Sequence, residues 1–73
     1  MIRDHLAQAE AHVQLGLTHI AKQHEIIADL ERLGIDVTLA REVLTTFKEI
    51  QVTHVADRDR LAQEVARLNR DSE

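Results

Sequence analysis

One break divides this chain. The stretch "ERLGIDVTLARE" separates two helical patterns, each running about thirty residues with no proline and no other strong interruption. Gly34 suits the left-handed residue that ends a helix. Ile35 follows as the residue that packs back on the last turn, here on Leu30. Asp36 then suits an N-cap, because its carboxylate accepts free backbone N–H groups, with Thr38 as the rival cap. The expected layout is a single domain over residues 1–73: helix 1 from about 2 to 33, a turn at 34–36, and helix 2 from about 37 to 70. So short a connection makes the helices antiparallel. At 1.5 Å per residue the hairpin is about 50 Å long.

The spacing of apolar residues places the seam. In helix 1, Leu6, Val13, Ile20 and Ile27 form one column, and Ile2, Ala9, Gly16, Gln23 and Leu30 form the other. The outer column of Asp4, Ala11, Thr18, Glu25 and Arg32 is small or polar, as a solvent face should be. Helix 2 carries Ala40, Phe47, His54, Leu61 and Leu68 in one column, completed by Val43 with Leu44, Ile50 with Gln51, and Val65. Arg60 with Glu64 and Arg67 with Asp71 are spaced four apart, as on a solvated flank. Antiparallel pairing about the turn sets His54 opposite Gly16, a ring facing a residue with no side chain.

The apolar surface is wider than one hairpin can cover. Leu15, Leu17, Ile26 and Leu33 lie beside the seam of helix 1, and Val37, Val52 and Val55 beside that of helix 2. A small chain buries little of its surface and needs a staple. The absence of cysteine removes disulfides and thiolate metal sites. The expected fold is therefore all-α: an antiparallel two-helix hairpin that dimerises into a four-helix bundle. The expected interface is drawn from Leu6, Val13, Leu17, Ile20, Ile27, Phe47, His54, Val55 and Leu61. The remaining apolar flank, around Leu15 or Val52, is a place for another protein.

Several functions are disfavoured by composition. A net charge of −4 and a single aromatic residue, Phe47, argue against nucleic acid. No apolar run approaches the roughly 20 residues that span a bilayer. The charged "MIRDHLAQAE" is unlike a signal peptide, so the expected location is the cytoplasm. No serine or cysteine nucleophile stands beside a histidine; the only serine is Ser72. There is no glycine-rich phosphate loop. Asp57 and Asp59, two apart, point to different faces of a helix. No enzymatic activity and no cofactor are expected.

The histidines are the remaining chemistry. His5, His12 and His19 recur every seven residues, roughly 10.5 Å apart along a helix, too far to share one metal ion. None of the five histidines has a carboxylate or histidine four residues away, and only His54 has one at three, Asp57. A metal site would need different helices, with His12, His19 and His54 as candidates. The same three residues, near Gln51 and Asp57, could instead form a pH- or ligand-responsive layer, since histidine ordinarily titrates near pH 6.5. Their plainest role is packing into the room left by Gly16 and Ala9. "KQHEIIADL" resembles the His-Glu phosphoacceptor of sensor histidine kinases. It lacks the basic residue and proline expected after that motif, and His24 flanks the core.

The stretches "HIAKQHEIIADLERLGIDVTLAREVLTTF" and "HVADRDRL" resemble a group of short uncharacterised helical-hairpin proteins of soil and photosynthetic bacteria. That resemblance implies a stand-alone hairpin and no particular activity. The functional expectation is a small structural or protein-interaction module, with a histidine-based regulator and a small metal-binding protein as alternatives.

Overall fold

The computed structural model describes residues 1–71; Ser72 lies outside the described residues. Helix α1 spans Ile2–Arg32 and helix α2 spans Thr38–Asp71. They pack side by side as an antiparallel hairpin measuring 60 × 15 × 14 Å. Both are rich in Ala, Leu, Gln, Glu and Arg, residues that lose little freedom in a helix.

The turn is built as its sequence predicts at one end and one residue later at the other. Gly34 takes φ 71, the left-handed conformation. Its N–H donates to the Glu31 carbonyl at 3.0 Å, and the Ile35 N–H donates to the Leu30 carbonyl at 2.9 Å. These two bonds form a Schellman cap and satisfy carbonyls that the helix end leaves free. At the start of α2, the first helical bond is accepted one residue after Asp36, by the Val37 carbonyl from the Arg41 N–H at 2.9 Å. The Asp36 carboxylate makes the capping bond, accepting from the Thr38 backbone N–H at 2.9 Å and from its hydroxyl at 2.7 Å. Thr38 is thus a donor to the cap. Asp36 is held below its ordinary carboxyl range chiefly by the backbone N–H and then by the hydroxyl.

The seam of α1 follows an alternating four-three spacing from Ile2 through Leu6, Ala9, Val13, Gly16 and Ile20 to Gln23, Ile27 and Leu30; every other residue of that helix is exposed. In α2 the matching column includes Leu44, Gln51, Arg58 and Val65 beside Ala40, Phe47, His54 and Leu61. Arg58 therefore occupies a seam position, while Ile50, expected in the stripe, is exposed. The buried core is narrow: Ala9, Val13, Ile27 and Leu61, with Gln23 and Gln51 among them. No described side chain is fully enclosed.

Candidate functional site

The middle of the seam is polar, and Gly16 explains its geometry. A Cβ at Gly16 would collide with the Gln51 carboxamide. The missing side chain lets Gln51 cross the seam, where its Nε2 donates to the Val13 carbonyl at 2.9 Å. A second amide does the same nearer the turn: Gln23 Nε2 donates to the Ala40 carbonyl at 2.8 Å. Each joins a side chain of one helix to the backbone of the other. The Oε1 of Gln51 is buried without a hydrogen-bond partner. Such a group costs about 1–3 kcal/mol, so this layer gives up stability where an apolar pair would not. Buried amides of this kind favour one register over others.

This corrects the expected pairing. Gln51, not His54, lies against Gly16, and the histidines meet other partners. The His12 and His54 rings pack with centroids 5.4 Å apart, tilted by 42°. His19 packs on Phe47 at 5.6 Å. The three histidines therefore line one depression without meeting at one point: His12 and His54 pair with each other, and His19 pairs with Phe47. His54 is half-buried, whereas His5, His12, His19 and His24 are exposed. Among the described residues no group of three His, Asp or Glu side chains is placed to hold a metal ion.

Two shallow depressions follow this histidine flank. His12, Leu15, His19, Phe47, Ile50 and His54 surround one of about 130 Å³ with Gly16 and Gln51 in its floor. The next, about 220 Å³, is lined by His5, Gln8, His12, Asp57 and Arg60 over Ala9 and Leu61. Asp57 accepts from Arg60 at 2.8 Å, and this bond holds the guanidinium proton more tightly than usual. The opposite flank has an open trough of about 460 Å³ along Ile20, Lys48, Val52, Val55 and Asp59.

The remaining predicted positions fall as follows. Val13, Ile27 and Leu61 are buried between the chain's own two helices; Leu6, Ile20, Phe47, His54 and Val55 are half-buried; Leu17 is exposed. Arg60 reaches Glu64 at 3.9 Å, while Arg67 turns to Glu64 at 3.2 Å instead of Asp71. Beside His24, Glu25 pairs with Lys22 at 3.7 Å on the surface. Sequence reasoning missed Arg58, whose guanidinium bonds Asp59 at 2.9 Å. Its seven-residue spacing from Gln51 was the available signal. Among the described residues no helix is long and apolar enough to cross a membrane.

No protein-family model matches the chain, and neither a curated protein nor a solved structure is similar to it.

Proposed function

We propose that the chain is a non-catalytic structural or protein-interaction module that acts as a homodimer, two hairpins closing into a four-helix bundle. The observation that supports this reading is exposed apolar surface: Leu15, Leu17, Ile26, Leu39, Ile50 and Val52 all stand exposed, while the buried apolar core is only Ala9, Val13, Ile27 and Leu61. A cytoplasmic setting fits the cysteine-free composition.

Sedimentation equilibrium at micromolar concentration tests the proposal. A mass of two chains is expected. A helical species with the mass of one chain, 8.3 kDa, overturns it.

The His12–His54 contact favours one second reading, a proton-responsive bundle. Charging both rings would set like charges about 5.4 Å apart between the two helices. Melting temperature and mass are then lower at about pH 5 than at about pH 8. Identical values at both remove this reading and leave the first in place.

A further inference from the structure

We propose that His12 and His54 form a two-histidine clamp for a divalent late transition-metal ion of the zinc type, tying α1 to α2 at mid-hairpin. The clamp is independent of the self-association proposed above. The two rings stand on different helices with their centroids 5.4 Å apart. With metal–nitrogen bonds of about 2.0–2.1 Å, two imidazoles on one tetrahedral ion hold their ring centres roughly 5 Å apart. Turning an imidazole about its second torsion swings the nitrogens and hardly moves the ring centre, and that torsion is soft. The spacing of the centres is therefore the constraint, and the packed helices already meet it. Among the described residues no other two histidine rings are in contact, since His19 packs on Phe47.

The nitrogens of both rings are available. Among the described residues no hydrogen bond or ion pair takes up a nitrogen of His12 or His54. His12 is exposed and His54 half-buried, so an ion reaches the pair from solvent while the seam steadies one ring. Neutral imidazole is a ligand for zinc, copper and nickel, whereas magnesium and calcium take oxygen. Asp57 shares a depression with His12, but its carboxylate already accepts from Arg60. It contributes negative charge near the clamp and not a third ligand. With no third side chain placed to bind, water completes the coordination and the ion is exchangeable. Such an ion binds the packed helices and not separated ones, so it stabilises the hairpin by mass action. It joins the helices just beyond the Gln51–Val13 bond, on the side of the chain ends, where Arg3–Asn69 is an exposed link.

Zinc chloride titrated into the untagged native chain at about pH 8, where an ordinary imidazole is neutral, tests the clamp. The melting temperature is expected to rise with zinc and to stay constant with the same concentration of magnesium. In NMR spectra of the imidazoles, the signals of His12 and His54 should shift together while those of His5, His19 and His24 stay in place. His12→Ala and His54→Ala should each weaken zinc binding roughly tenfold or more, and His19→Ala should leave it within about twofold. Where either variant loses its helix, the spectra of the native chain decide alone. An unchanged melting temperature, five rings shifting alike, or a loss at His19→Ala equal to that at His12→Ala overturns the proposal. A mass that rises on adding zinc also overturns it, because the ion then joins separate chains. None of these outcomes bears on the mass of the zinc-free chain, which tests self-association separately.

Discussion

The half of the hairpin beside the turn and the half holding the chain ends share one seam and differ in how they are secured. The turn half is tied across the helices: Gln23 bonds the Ala40 carbonyl, Arg41 meets Glu31, and the cap bonds of Gly34 and Ile35 close the end. Its flank is apolar and incompletely covered. In the open half, α1 has Met1 at its N-cap position and no side-chain cap bond. Arg3 there donates to the Asn69 side-chain oxygen across the helices, at 2.6 Å on the surface. Its other ion pairs, such as Arg60–Asp57 and Arg67–Glu64, stay within α2. Exposed pairs of that kind contribute about 0.2–1 kcal/mol at best. The comparison teaches that buried and capping bonds fix the register at the turn end, while the open end relies mainly on apolar burial, with Arg3–Asn69 an exposed bond across it.

The strongest test of that division is a matched pair of core truncations. Ile27→Ala lies in the turn half and Leu61→Ala in the open half, and both side chains are buried. Each is expected to cost about 2–5 kcal/mol by urea denaturation, a loss that removes most of the helicity of so small a core. A loss under about 1 kcal/mol at Leu61 alone would show that the open half is not part of the cooperative fold.

The two glycines offer a smaller and sharper contrast. Gly34→Ala forces a side chain into the left-handed conformation and should cost about 1–2 kcal/mol. At Gly16 two effects oppose. Alanine gains about 1 kcal/mol of helix propensity. It also displaces the flexible Gln51 carboxamide from Val13, forfeiting a bond of about 0.5–1.5 kcal/mol. Thermal melting should therefore show Gly16→Ala near the native value and Gly34→Ala clearly below it. A larger loss at Gly16 would mean that Gln51 cannot move aside.

The smallest expected effect is a pH dependence at the turn. The pKa of Asp36 is lowered in the folded chain from its ordinary 3.8 by its bonds to Thr38. Its contribution is thus complete above that ordinary value and is lost as pH falls through the folded one. The stability gap between the native chain and Asp36→Ala should narrow between about pH 5 and about pH 2. A constant gap across that range would show that the carboxylate charge is irrelevant to the cap.

Much of this architecture is legible from residue order. The strict spacing from Ile2 to Leu30 identifies the seam of α1 position by position, because a helix buried on one face repeats that pattern. Gly34 marks the end of α1 for a local reason, its tolerance of positive φ. The site was less legible. Arg58 reads as a surface residue by type; its stem can lie along the seam while the guanidinium reaches Asp59. The unpartnered Oε1 of Gln51 has no sequence signature at all, since it depends on what stands across from it.

Residue order by itself determined two long helices, one tight turn and the face that α1 turns inward, with that of α2 only in part. These follow from propensity, cap chemistry and apolar period, all local properties. The tertiary structure alone decided which rung meets which. A stripe that repeats every three or four residues is nearly as well satisfied after a slide of one turn, and such a slide separates Gln51 from His54 as the partner of Gly16. The path of residues 33–37 and the two amide bonds across the seam select among those registers.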